Sequence, residues 1–178
     1  TGPAGTGKSH MIRVLKKYAE SQGKKCQVTA LTGCAALLLN CEAKTIHSWA
    51  GIGLGQGDID LIVRRVRRKS GLSNRWKKTD ILIIDEISMM SKKLFEILDY
   101  VGKQIRRDLD PFGGIQIVFS GDFFQLPPVC KDNNPDSDSG KFCFESNLWE
   151  MTFQHSIELQ KLYRQQEDLT FSKILHQI

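Results

Sequence analysis

The chain has 178 residues, 40% of them hydrophobic and 25% charged, with a formal net charge of +5. This is enough for one domain with its own core, and the composition excludes disordered, collagenous and disulfide-stapled classes. No apolar run approaches the roughly 20 residues that cross a bilayer, and the modest positive excess admits a polyanionic partner without identifying one.

The first predicted element is a loop. Gly2-Pro3-Ala4-Gly5-Thr6-Gly7-Lys8-Ser9 fits G-x-x-x-x-G-K-[ST], the phosphate-binding loop of nucleoside triphosphatases. Glycine lets the backbone wrap closely around phosphate oxygens with its N–H groups turned inward. Lys8 adds a point charge for the outer phosphates of ATP, and the Ser9 hydroxyl suits Mg²⁺. A helix from about Lys8 adds the positive end of its dipole. Such a loop needs a strand before it. The chain is therefore expected to be a fragment, or to have its native N-terminus upstream of Thr1.

Met11, Ile12, Val14, Leu15, Tyr18 and Ala19 recur at helical spacing, and Gly23 stops that helix. Cys26–Leu31 reads as a strand, which gives the order of a parallel α/β sheet. Thr32-Gly33-Cys34-Ala35-Ala36 falls at its carboxyl edge, where ligands bind in open parallel sheets. Residues 35–40 read as helix. In Thr45-Ile46-His47-Ser48-Trp49, the side chains suit phosphate contact and base stacking, or else a core tryptophan with a structural histidine. A helix from Asp58 ends in Arg64-Arg65-Val66-Arg67-Arg68-Lys69. Its cations either hold a nucleic-acid backbone or form a solvated face.

Thr79–Glu86 carries four consecutive branched apolar residues, the pattern of a strand buried on both faces, and ends in Asp85-Glu86. Asp85 suits Mg²⁺, and Glu86 suits the attacking water. Ser91 caps a helix to about Arg107 with Leu94, Phe95, Leu98, Val101 and Ile105 as its buried stripe. Residues 110–114 turn into a strand at Ile115–Phe119, and Gln125 lies in the loop after it, placed to hydrogen-bond a terminal phosphate. Residues 131–141 read as a mobile polar loop, after which Phe142, Phe144, Leu148 and Trp149 return to the core. Ile157–Leu159 reads as a last strand, followed by a helix with Phe171, Ile174 and Leu175 apolar. The five cysteines make no C-x-x-C pair and the four histidines lack metal-ligand spacing. Reduced thiols in an intracellular protein fit better than zinc or disulfides.

Five segments in fixed order resemble one family: Gly2–Ser9, Leu31–Ala36, Thr45–Gly53, Asp85–Met89, and Phe112–Gln116 with Gly121–Pro128. The chain resembles the first motor domain of Pif1-type (petite integration frequency) helicases of superfamily 1, over essentially its whole length. The resemblance implies a RecA-like P-loop fold, a single domain over residues 1–178, with a parallel β-sheet, helices on both faces and the first strand missing. It implies ATP-driven 5′-to-3′ movement on single-stranded DNA, and unwinding of duplex junctions and G-quadruplexes in DNA repair, recombination and telomere maintenance. Lys8 and Ser9 are then assigned to ATP and Mg²⁺, Asp85 to Mg²⁺, Glu86 to catalysis, and Gln125 and Arg164 to the γ-phosphate. Thr32, Gly33, His47 and Ser48 match DNA-contacting segments, and residues 91–107 match the family's signature region. The implied motor is an intracellular monomer, in the nucleus or mitochondrion, or both, if the source is eukaryotic, with related enzymes in viruses and bacteria, and a second motor domain with its arginine finger lies elsewhere in the protein. One departure stands out: residues 37–44 lack the glycine usual before the Thr-x-His-Ser run. A nucleotide switch or kinase using the same loop, and a non-catalytic DNA-binding module, are the competing readings.

Overall fold

The computed structural model describes residues 1–129 and 140–163. Four strands, β1 (Cys26–Ala30), β2 (Lys44–Thr45), β3 (Ile81–Asp85) and β4 (Gln116–Phe119), form one parallel sheet in the order β2-β1-β3-β4. Cys26 pairs with Ile81 and Ala30 with Asp85, while Ile84 pairs with Phe119, so β3 has a neighbour on each side. Helices α1 (Lys8–Ser21), α2 (Gly33–Leu38), α3 (Ile46–Ala50), α4 (Ile59–Arg68), α5 (Ser70–Lys78), α6 (Lys92–Arg106) and α7 (Trp149–Thr152) surround it.

Strand alternation divides the core in two. Leu82 and Ile84 join Trp49, Trp76, Phe95, Leu98 and Val101 on the α3–α6 side. Ile83 joins Ile12, Ala19, Val28, Ala36 and Leu39 on the α1–α2 side. The sheet thus carries helices on both faces, as the branched run at 81–84 predicts. Ser91 caps α6, its hydroxyl accepting from the Leu94 amide at 3.2 Å, and all five expected stripe residues are buried. A fully buried large apolar side chain contributes roughly 1.5–3 kcal/mol, so α6 is a far stronger anchor than α1, which buries only Ile12 and Ala19.

The structure departs from the sequence reading in several places. Met11, Val14, Leu15 and Tyr18 of α1 are exposed. The second helix spans Gly33–Leu38 rather than 35–40, because Asn40 adopts φ 48°. Residues 70–78 form a helix that periodicity misses. Its only large apolar residues are Leu72 and Trp76, and its ends are held by tertiary contacts. The Trp76 indole donates to the Ala50 carbonyl at 3.1 Å. The Arg106 guanidinium donates to the carbonyls of Trp76, Lys77 and Thr79 at 2.7–3.1 Å. Phe144 is 42% exposed rather than core. Ile157–Leu159 is not a strand. It makes two hydrogen bonds to Thr1 instead of a ladder, Thr1 N to Ile157 O at 2.6 Å and Leu159 N to Thr1 O at 2.8 Å. The polar loop at 131–139, Arg164 and the final helix lie outside the described residues.

Candidate active site

The loop before α1 gets its shape from three glycines with positive φ: Gly2 at 151°, Gly5 at 85° and Gly7 at 93°. At Gly2 an added Cβ would lie 2.5 Å from the Leu159 carbonyl, so only glycine fits there. The Thr6 hydroxyl donates to Pro3 O at 2.8 Å and cinches the loop. Lys8 opens α1 and reaches back, its ammonium donating to Gly2 O at 2.6 Å and Pro3 O at 2.9 Å. Ala4 is exposed at the loop's tip, and Ser9 is exposed one residue after Lys8. The returning chain braces the loop, with Tyr163 N donating to Gly5 O at 2.9 Å. Arg164 is one residue further on.

The acidic pair stands at the carboxyl end of β3. Asp85 is 4% exposed, and two residues after Ile83 its side chain faces the α1 side. Its Oδ1 is buried with no hydrogen-bond partner among the described residues, as are the hydroxyls of Ser88 and Ser120. Ser120 extends β4 beside Asp85, its amide donating to Ile84 O at 2.9 Å. Two residues after Val118, it faces the same side of the sheet. An unpaired carboxylate oxygen in the interior is costly, and a divalent cation offsets that cost, so this donor chemistry fits Mg²⁺. Glu86 adopts a left-handed φ of 59°, which turns the chain into the Ile87–Met89 single turn.

Burial pushes the Glu86 carboxyl above its ordinary 4.5, the neighbouring Asp85 carboxylate pushes it the same way, Lys8 opposes them, and Asp122 adds to the rise. Lys8, Asp85, Glu86 and Asp122 therefore share one electrostatic environment, although they span over a hundred positions of chain. The raised folded-state pKa has a stability consequence. Between 4.5 and its folded value the native state holds more protons than the unfolded chain, so stability falls as pH rises through that window and stays lower above it. Glu86→Gln is therefore expected to melt above the parent chain at pH 7, with the gap closing as pH drops below 4.5. Thermal melts of both chains across pH 4–7 check this; equal melting temperatures at pH 7 would contradict it.

Gln125 is exposed, and its amide donates to the Asp122 carboxylate at 2.9 Å, while Asp122 also accepts from the Phe124 amide. Sequence reasoning gave Asp122 no role of its own. The Asp-x-x-Gln spacing, a carboxylate bonding a backbone N–H two residues on, was the available signal.

The second group of expected residues lies elsewhere on the carboxyl edge. The Thr32 hydroxyl accepts from Ala35 N at 3.2 Å and caps α2. Gly33 and Ser48 are not part of the core, whereas Trp49 is 1% exposed and belongs to it. His47 lines a cavity of about 590 Å³ together with Leu31, Gln56, Met89, Lys93 and Pro128. One segment joins the two places. Gly121 sits so close to Ile87 that an added Cβ would lie 2.8 Å from its side chain, and Pro128 and Val129 reach the His47 cavity.

The family model for PIF1-like helicases matches residues 1–177. The chain belongs to the PIF1-like helicase family. It is 46% identical over 180 residues to the ATP-dependent DNA helicase PIF1 of Saccharomyces cerevisiae (strain YJM789), covering 100% of this chain and 20% of that protein. Against the Homo sapiens PIF1 it is 39% identical over 178 residues, again all of this chain and 26% of the relative. The crystal structure of Candida albicans Pif1 superposes with a TM-score of 0.89 at 42% identity, over 98% of this chain and 38% of that one. A Bacteroides Pif1 in complex with ADP-AlF3 and single-stranded DNA superposes at 0.79 with 33% identity, over 98% and 40%. This PIF1-like chain thus spans about a fifth to a quarter of the length of the named relatives. Both the family resemblance and the RecA-like fold class read from the sequence are borne out.

Proposed function

We propose that the chain is the first motor domain of an ATP-dependent DNA helicase, moving 5′ to 3′ on single-stranded DNA and unwinding duplex junctions and G-quadruplexes. The observation that carries this reading is a glycine-turned loop with the Lys8 ammonium folded over it, together with an acidic pair at the carboxyl end of β3 whose buried Asp85 Oδ1 has no hydrogen-bond partner among the described residues. The names of the relatives, and the Bacteroides complex with nucleotide and DNA, support it.

In this reading the amides of Gly2–Ser9 and the Lys8 ammonium cradle the ATP phosphates. Mg²⁺, when bound, neutralises charge developing on the transferred phosphoryl group, and Ser9 and Asp85 would hold it. Glu86 takes the proton of the attacking water, a task suited to a carboxyl whose pKa burial has raised. Gln125 and Arg164 contact the γ-phosphate. The Arg164 assignment rests on the resemblance alone, since Arg164 lies outside the described residues. Thr32, Gly33, His47 and Ser48 contact the single strand. Residues 120–129 carry the state of the phosphate from Glu86 to the His47 cavity. A second motor domain of the same protein supplies the arginine finger, and the whole works as an intracellular monomer, in the nucleus or mitochondrion, or both, of a eukaryotic source.

The test is the ATPase rate of the full-length parent with and without single-stranded DNA. Several-fold stimulation is expected, and an unstimulated rate would favour a nucleotide switch. The 178-residue chain alone is expected not to unwind DNA; rapid unwinding by it would refute the need for a second motor domain.

A further inference from the structure

Residues 61–78 hold eight lysines and arginines and no carboxylate. The whole chain nets +5, so these eight leave the remaining residues at −3. The positive excess of the protein is therefore a property of α4, α5 and Lys69 between them. Cations in the last turn of each helix complement its dipole. That does not explain why no acid is interleaved, which is the usual arrangement on a solvated helix and relieves like-charge repulsion.

Three of the eight are spent on carbonyls: Arg65 on Ile52, Arg67 on Gln104, and Arg75 on Ser48 and Trp49 at 3.1 and 2.6 Å. The other five are exposed and make no ion pair among the described residues. The end of α5 meets the turn after α1 around a depression of about 370 Å³ lined by Lys24, Lys25, Asn74, Arg75 and Lys78. The carboxylates there are already engaged. Glu20 lies 3.7 Å from the Lys16 ammonium, and Asp80 accepts from the Lys25 amide at 2.7 Å. Arg75 links this depression to Ser48, a residue of the proposed single-strand contact.

We propose that this face, running from Ser48 down α5 to Lys24 and Lys78, holds the sugar-phosphate backbone of duplex DNA next to the single strand. The preference for DNA over other polyanions rests on the motor reading. The preference for duplex over single strand rests on chemistry. The tryptophans of this region, Trp49 and Trp76, are 1% and 0% exposed and offer no indole for base stacking, whereas phosphates need only cations. Duplex DNA presents one charge per about 1.7 Å of axis, against which the cations of the last turn of α5, Arg75, Lys77 and Lys78, together with Lys24 and Lys25 across the depression, meet several.

The test uses the 178-residue chain and three probes: a blunt 20-bp duplex, a 20-nucleotide oligothymidine and a polyglutamate competitor, read by fluorescence anisotropy across salt. Lys24→Glu/Lys78→Glu is expected to weaken duplex binding at least about tenfold at low salt and to flatten the log–log salt slope by about 2, one per lost phosphate contact. Oligothymidine binding should change less than about twofold, since Ser48 and His47 are untouched. Arg64→Glu/Arg107→Glu, with the same change in net charge, serves as the control. Equal losses in control and test, or equal losses for duplex and single strand, would overturn the proposal. Polyglutamate displacing the duplex when present at lower charge concentration would also overturn it, in favour of an acidic protein. A duplex pattern as expected from a parent that shows no DNA-stimulated ATPase would sink the motor reading alone.

Discussion

Lys8→Ala is expected to abolish ATP binding by this chain and to lower turnover of the full-length parent by about 10²–10³-fold or more, the usual cost of losing one preorganised group at a phosphoryl centre. The expectation follows from where the lysine begins. Gly7, at φ 93°, turns the chain so that Lys8 is the first residue of α1. From there its ammonium folds over the loop onto Gly2 O and Pro3 O. The substitution therefore removes two things, a charge facing the phosphates and a tie that holds the loop. Lys8→Met loses both with the ammonium but keeps most of the stem, so it tells loss of the head group from loss of stem packing. If the head group dominates, both variants fail to bind a fluorescent ATP analogue while circular dichroism stays native. Wild-type affinity in either would sink the assignment of this loop. Glu86 gives a second readout. Lys8 is the group that pulls its carboxyl down, so the rise in melting temperature produced by Glu86→Gln should be larger in a Lys8→Ala background than in the parent.

The parts of this molecule legible in its sequence are those where backbone need and side-chain chemistry coincide locally. Glycines at 2, 5 and 7 mark a loop whose φ values they alone tolerate, and Ile81–Ile84 marks a strand with a core on each side. The stripe of α6 is read correctly because every one of its positions is buried. What escaped depends on partners distant in sequence. The α5 helix exists because Ala50 receives the Trp76 indole and Arg106 covers its terminal carbonyls, and no period announces either. The stretch 157–159 looks like a strand by composition, yet its partner is the single loop residue Thr1. The site divides in the same way. Asp85 and Glu86 stand out as a pair, while Ser120, an ordinary serine in the sequence, becomes notable only when β4 sets its buried hydroxyl next to Asp85.

Gly102→Ala should cost the fold about 2 kcal/mol, whereas Gly71→Ala should stabilise it by about 0.5–1 kcal/mol. Gly102 lies in the interior of α6 and Gly71 in the first turn of α5, and neither has a positive φ, so alanine gains helix propensity at each and no less at Gly102. The surroundings decide the sign. Around Gly71 nothing lies within 4 Å of an added Cβ. At Gly102 the added atom would lie 2.6 Å from the Phe112 carbonyl oxygen and 2.7 Å from its carbonyl carbon. These are backbone atoms that cannot swing away, and Phe112 is itself fully buried against Phe95 with a left-handed φ of 54°. The Arg106 guanidinium also bonds Gly113 O, which locks the turn to the helix from the other side. Overpacking of about 1–3 kcal/mol, at its upper end when only backbone can yield, therefore outweighs the propensity gain. For a chain of this size the net loss corresponds to a melting point lower by about 4–8 °C, and Gly71→Ala should move it up by a few degrees at most. Thermal melts of the two variants side by side measure the difference. A Gly102→Ala chain that melts no lower than the parent would mean that the end of α6 and the 111–114 turn can part without cost. β4, which starts from that turn and ends beside Asp85, would then be less firmly held than its register implies.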